Sequence, residues 1–182
     1  MELIAEQTVT LAIVDDHNLF RKGLISLINL SQGRYSYKLL FEAGNGEEMQ
    51  INLKEGLVPD IILLDIDMHI MDGYKSAEWL RENYPAIRIL VVTMYNSDDA
   101  IRKMLRYGVK GYLSKHIDVE DMQAALENMA GKGFHFSNRV IQLVAGNIKQ
   151  EGELPNFESP RDTPFKKRAG FPPMGLHGAH LC

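Results

Sequence analysis

Cysteine is all but absent from this chain of 182 residues: the only one, Cys182, is the last residue. An intramolecular disulfide is thereby excluded, and a reducing compartment is the expectation. Long apolar runs are missing too. The first ten residues lack the basic start and apolar core of a secretory leader, and no later run approaches the roughly 20 residues that cross a bilayer. A soluble, cytoplasmic protein without a membrane partner is expected. Net positive charge is also lacking: the formal charge is −4, so no bulk field recruits nucleic acid. Up to residue 154, proline occurs only as Pro59 and Pro85; Pro155, Pro160, Pro164, Pro172 and Pro173 crowd the last 28 residues. That stretch sets Arg161, Lys166, Lys167 and Arg168 against Glu158 and Asp162, a balance of +2 that leaves −6 for the rest. It reads as a solvated, flexible tail, and a boundary falls near residue 154.

What is present is a core. Apolar residues make up 45% of the chain, a globular proportion. Ile61-Ile62-Leu63-Leu64 is an unbroken apolar run, which suits a strand buried on both faces of a parallel sheet. Thr8 to Val14, Tyr37 to Ala43, Arg88 to Thr93 and Val109 to Ser114 are four further strand candidates. Between and after them run helical patterns. Leu19, Phe20, Leu24, Leu27 and Ile28 recur at helical spacing within 17–30, and a short helix fills 47–54. Asp72-Gly73 turns into a helix with Tyr74, Ala77, Leu80 and Tyr84 on one face, stopped before Pro85. Ser97 caps a fourth, with Ile101, Met104 and Leu105 inward, and Asp118 a fifth, with Val119, Met122, Leu126 and Met129 inward. Five strand–helix alternations predict a doubly wound (βα)5 domain of three layers. An amphipathic segment at 138–148 reads as a linker helix, giving a domain over 1–132, a linker over 133–154 and the tail over 155–182.

Polar residues close four of the five strands: Asp15 and Asp16, Asp65, Thr93, and Lys115. In an open parallel sheet such ends gather at the crevice where strand order reverses, which is where ligands bind. Asp65 alone equally suits a residue that merely ends a strand. Three carboxylates in one crevice repel, and a hard divalent cation relieves them: Mg²⁺ takes oxygen ligands from one or two carboxylates and completes its shell with water or a phosphoryl oxygen. Asp65 is then a candidate nucleophile forming an aspartyl phosphate, Lys115 a positive charge for the phosphoryl group, and Thr93 a hydroxyl donor.

Val14-Asp15-Asp16-His17, Leu64-Asp65 with Met68 and Met71-Asp72-Gly73, Val92-Thr93, and Gly111-Tyr112-Leu113-Ser114-Lys115 together resemble the receiver domain of bacterial two-component response regulators. The likeness covers roughly 9–132, with 49 residues from Asp16 to Asp65, 28 more to Thr93 and 22 more to Lys115. It implies a flavodoxin-like five-stranded parallel sheet of order 2-1-3-4-5. It also implies that Asp65 is the phosphoacceptor, and that Asp15, Asp16, Asp65 and the backbone carbonyl of Asp67 hold Mg²⁺. Lys115 and Thr93 would bind the phosphoryl group, and Thr93 and Tyr112 would form a switch pair in which Thr93 draws Tyr112 inward. The phosphodonor would be a sensor histidine kinase; homodimerisation on phosphorylation is expected, and enzymatic activity beyond the domain's own phosphorylation and dephosphorylation is not.

Asn83-Tyr84-Pro85, Gly108 to Leu113 and Gly133 to Phe136 are similar to the LuxR/NarL-type subfamily, which regulates transcription through a C-terminal helix-turn-helix. Residues 155–182 are too short and too rich in proline and glycine for that domain, so no recognition helix, and no specific DNA binding, is expected. The abrupt change of composition fits a reading frame truncated or shifted there. His69 stands where the family usually has proline, which frees the loop, and is expected to be a solvated loop residue. Asp67 and Tyr95 occupy positions that set how water reaches the phosphoryl group. Two rivals share features. Asp65-Ile66-Asp67 resembles the Asp-x-Asp start of haloacid-dehalogenase-type phosphatases, but there the acid pair comes last. The other is an interaction module that keeps the fold and is not phosphorylated. A flavin site would want a hydroxyl-rich phosphate loop where Asp15-Asp16 would repel the phosphate.

Overall fold

A computed structural model describes residues 7–30 and 33–151. The tail at 155–182, and with it the expected change of reading frame, lies outside the described residues. The chain alternates β1 (Gln7–Val14), α1 (Asn18–Leu30), β2 (Tyr35–Ala43), α2 (Gly46–Lys54), β3 (Ile61–Leu64), α3 (Gly73–Asn83), β4 (Arg88–Thr93), α4 (Asp98–Arg106), β5 (Gly111–Ser114) and α5 (Val119–Gly131), followed by β6 (His135–Phe136) and α6 (Asn138–Glu151). All strand pairs are parallel, in the order β2-β1-β3-β4-β5-β6. The expected 2-1-3-4-5 order is therefore present, extended by one strand. That sixth strand has two residues, too few for any hydrophobic period. It is set by Gly133 at φ 85, which turns the chain back after α5 so that the His135 N–H reaches the Lys110 carbonyl at 2.8 Å.

Both faces of the sheet are covered, and the strands read accordingly. All four residues of β3 are buried. Leu11, Ile13, Leu63, Leu90 and Val92 face α1 and α5, packing on Leu24, Ile28, Met122, Leu126 and Met129. The alternate residues Ala12, Val14, Ile62, Leu64 and Val91 face α2, α3 and α4 through Met49, Leu53, Ala77, Leu80, Ile101 and Met104. This is the two-residue period of a pleated strand written twice, each large aliphatic side chain contributing about 1.5–3 kcal/mol of burial. Helix starts are chemically marked: the Asn45 side chain accepts from Glu47 and Glu48 N–H, Asp72 from Lys75, Ser97 from Ala100 and Asp118 from Asp121. Two apolar residues depart from the stripe the spacing suggests. Leu19 is 87% exposed and Val119 50% exposed, because each lies in the first turn of its helix, beyond the sheet's edge.

The amphipathic segment at 138–148 lies within α6, and α6 is docked. Val140 of α6 is buried in the α2–α3–α4 core with Leu143 against it, and Arg139 Nη2 donates to the Asn96 carbonyl at 2.9 Å and to Asp98 Oδ1 at 2.8 Å. Among the described residues, no helix is long and apolar enough to cross a membrane.

Candidate functional site

Sheet register brings the site together. Val14 pairs with Leu64, so the residues that follow, Asp15 and Asp65, leave adjacent strands side by side, and the Asp65 N–H donates to the Val14 carbonyl at 2.9 Å. Thr93 pairs with Ser114, and the next residue, Lys115, donates its N–H to the Thr93 carbonyl at 2.9 Å. β1 lies between β2 and β3, so the chain crosses back over it, and its C-terminal end opens on the switch-point crevice.

Lys115 is the cation of this crevice. Its Nζ sits 2.7 Å from Asp15 Oδ2 and 2.6 Å from Asp65 Oδ2, with the three side chains only 7%, 4% and 2% exposed. The second Asp65 oxygen accepts the Ile66 N–H at 2.7 Å, and Asp15 Oδ1 accepts the His17 N–H at 2.8 Å. Burial pushes the Asp15 carboxyl up despite its bonds to Lys115 and His17. Burial would lower the Lys115 ammonium, but the two carboxylates outweigh it and hold it above its ordinary value. Phe20 of α1 completes the enclosure, its ring centroid 4.7 Å from Nζ.

Asp16 has other partners. His69 Nδ1 lies 2.7 Å from Oδ2, and His17 Nδ1 lies 2.9 Å from Oδ1 but outside hydrogen-bonding geometry, so the buried Oδ1 has no hydrogen-bond partner. Burial raises this carboxyl, yet the His69 bond and the histidine charges bring it below its ordinary value. His69 is thus exposed, as expected of a loop residue, and also a contact of the acid pair. The loop that carries it is strained: Ile70 has φ 70, and the Met71 N–H reaches back to the His69 carbonyl at 2.8 Å, closing a positive-φ γ-turn on a β-branched residue. That loop is pinned at both ends, by the Gly46 N–H to the Met71 carbonyl and the Gly73 N–H to the Ile66 carbonyl.

Asp15, Asp16, His17 and Asp65 offer ligand atoms that all lie within 4.8 Å of one another. The three carboxylates of this group, with the Asp16 Oδ1 that lacks a hydrogen bond among them, fit a hard divalent cation. The Asp67 carboxylate stands outside that group, exposed, 3.5 Å from the Tyr95 hydroxyl. Thr93 is fully buried, and its Oγ1 accepts the Tyr95 N–H at 3.3 Å. Tyr112 is buried as well: its hydroxyl donates to the Tyr95 carbonyl, so the ring is already inside, and burial raises its phenol well above the ordinary value. Sequence spacing alone missed the part His17 plays, although its place directly after the acid pair was the available signal.

The model for the response regulator receiver domain matches residues 11–127. The chain belongs to this family. The nitrate/nitrite response regulator protein NarL of Escherichia coli is 32% identical over 144 residues, which is 79% of this chain and 65% of NarL. The transcriptional regulatory protein DegU of Brevibacillus brevis is 27% identical over 85% of this chain and 63% of its own length. The chain thus spans under two thirds of the length of these relatives. Among solved structures, a LuxR-family two-component response regulator from Aurantimonas sp. SI85-9A1 superposes with a TM-score of 0.67 at 25% identity, over 79% of this chain and 100% of that one. The signal receiver domain of the NarL regulator from Mycobacterium tuberculosis gives 0.61 at 28% identity, over 68% and 97%.

Proposed function

We propose that Asp65 accepts a phosphoryl group from a sensor histidine kinase, in a chain that signals and has no catalytic activity towards other substrates. The observation that carries the reading is the bridge of Lys115 Nζ between Asp15 and Asp65 at 2.7 and 2.6 Å, in the switch-point crevice. It places a positive charge beside the Asp65 carboxylate, where the transferred oxygens arrive. An Asp65 oxygen attacks phosphorus while the phosphorus–nitrogen bond of the donor phosphohistidine breaks, and the imidazole leaves with that electron pair. Asp15, Asp16, Asp65 and the Asp67 carbonyl would hold Mg²⁺, which when bound neutralises phosphoryl oxygens. Lys115 then follows the phosphoryl group, and Thr93 donates its hydroxyl to it.

The donor's approach is marked by an apolar groove of about 660 Å³ between α1 and α5, whose wall includes Lys115 and His17 themselves. Leu19, Phe20, Leu24, Met94, Ile117 and Val119 line it, which accounts for the exposed Leu19 and Val119. An amphipathic helix presenting a phosphohistidine above the acid cluster is the occupant this continuity favours. Thr93 and Tyr112, both bound to Tyr95, form the switch pair, and control of transcription belongs to a full-length relative. The test is incubation with Mg²⁺ and acetyl phosphate followed by intact-mass measurement: wild type gains one phosphoryl group and Asp65→Asn gains none. Equal labelling of the two would overturn the assignment, and ultracentrifugation of the labelled chain reads out the expected homodimer.

A further inference from the structure

The loop after β3 is anchored at two methionines. Met68 is buried in the α2–α3–α4 core. Met71 is held to the start of α2: its carbonyl accepts the Gly46 N–H at 3.0 Å, and its sulfur accepts the Gln50 amide at 3.5 Å. Packing there is close, since a methyl on Gly46 would meet Met71 Cγ at 2.6 Å. Between the anchors lie only His69, with its side chain 93% exposed, and Ile70, 73% exposed. Movement between the methionines is therefore confined to these two residues.

The pair is held in a costly state. Ile70 has φ 70, which a β-branched residue avoids, and its side chain lies mostly in solvent and gains little burial in return. Relaxing that φ would carry the His69 carbonyl away from the Met71 N–H, which it accepts at 2.8 Å. The imidazole would leave with it, and its Nδ1 stands 2.7 Å from Asp16 Oδ2. Strain and contact persist together or are lost together. The contact also shuts the acid pair, because the other Asp16 oxygen has His17 Nδ1 beside it at 2.9 Å. His17 is tethered by its own N–H to Asp15 Oδ1. His69 is the one whose departure relieves Ile70.

We propose that His69 and Ile70 form a strained latch over the acid pocket, closed by the His69–Asp16 contact and opened when a divalent cation takes Asp16 Oδ2. The latch follows from the loop alone, and its gating role rests on the magnesium reading above. A closed latch lowers apparent affinity by the fraction of molecules that are open, and strain at Ile70 raises that fraction. His69 therefore opposes loading and Ile70 favours it. A histidine that merely oriented Asp16 from behind would act with the opposite sign, since its loss would weaken the ion.

The experiment compares the full chain with His69→Ala, with Ile70→Gly and with both. Urea unfolding without metal tests the latch. The change that Ile70→Gly makes in the unfolding constant should differ at least about threefold between the two backgrounds, because without His69 the loop has already relaxed. Calorimetric titration with Mg²⁺ tests the gating. Relative to wild type, His69→Ala should bind at least about threefold more tightly and Ile70→Gly at least about threefold more weakly. In the His69→Ala chain, Ile70→Gly should leave the affinity unchanged. Additive effects in urea overturn the latch. Coupled effects in urea with Mg²⁺ affinity unchanged or weakened by His69→Ala overturn the gating. Coupled effects with no Mg²⁺ binding in any chain sink the magnesium reading and the gating with it, while the latch in the loop stands.

Discussion

Replacing Lys115 by methionine is the most informative single perturbation of this fold. At an effective dielectric of about 20, each contact of about 2.6–2.7 Å attracts by about 6 kcal/mol, and each buried ion forfeits several kcal/mol of hydration. The net worth of the pairs is small. Losing one partner is costly, because two carboxylates at 4% and 2% exposure then face each other uncompensated. Breaking a buried pair in this way costs about 3–5 kcal/mol, a fall in Tm of roughly 10 °C for a domain of this size. The sign with pH follows. Asp15 is already raised above 3.8 in the wild type, and without Lys115 it rises further. A raised folded pKa means the folded state binds the extra proton, so the variant regains stability as pH falls from neutral toward the carboxylate range, and loses it again on the way up. Mg²⁺, no longer competing with an ammonium for the same oxygens, should bind the variant more tightly and restore much of the loss at pH 7.5. Urea denaturation at pH 7.5 and 5.5, with and without millimolar Mg²⁺, measures all three effects. A variant within about 1 kcal/mol of wild type at pH 7.5 without metal would refute the claim that Lys115 neutralises the pocket.

A methyl group on Gly73 would meet the Asp65 carbonyl at 2.1 Å and Ile66 Cα at 2.7 Å, so Gly73→Ala should cost about 1–3 kcal/mol in urea melts and weaken acetyl phosphate labelling of Asp65. His135, half-buried beside Asn128, is held below 6.5 by burial, so its neutral form is the folded one; stability present above that value should fall as pH drops through it, and His135→Gln should flatten the profile. Arg139→Ala removes a half-exposed pair and a carbonyl bond, so Tm should move by only a few degrees while amide exchange in α6 quickens several-fold. Unchanged exchange there would show that the apolar contacts of Val140 and Leu143 dock the helix.

Much of this was legible because a strand buried on both faces leaves little choice. Ile61 to Leu64 had to be central, and a parallel sheet of alternating strands and helices had to bring Asp15, Asp65, Thr93 and Lys115 to one edge. Residue spacing does not say which carboxylate Lys115 takes. The structure gives it Asp15 and Asp65 and hands Asp16 to two histidines, a division set by the directions in which adjacent strand ends diverge. The His69 contact was hidden for a related reason, since it depends on Ile70 adopting a φ that β-branched residues avoid. β6 was hidden because two residues have no period, and the open groove because helix spacing places Leu19 and Val119 on a stripe without showing that their neighbours stop short of it.

The path from the crevice to α6 is short enough to bound what a phosphoryl group on Asp65 could do there. Thr93 holds the Tyr95 N–H, the Tyr95 carbonyl takes the Tyr112 hydroxyl, the Asn96 carbonyl takes Arg139, and Ser97 caps α4. Three residues of one loop, Tyr95, Asn96 and Ser97, thus touch the site, β5, α4 and α6. Tyr112 is already inside, so on the proposed reading phosphorylation would not bring it in; it would raise a population that the unmodified chain already visits. The polar contacts that Arg139 of α6 makes with this loop and the start of α4 are one carbonyl bond and one half-exposed ion pair, worth about 1–2 kcal/mol together. Driving a switch from 1:99 to 99:1 takes about 5.5 kcal/mol. Arg139 alone therefore supports a graded response in α6, and an all-or-none output would need more than these two bonds, from the packing of Val140 and Leu143 or from a second copy.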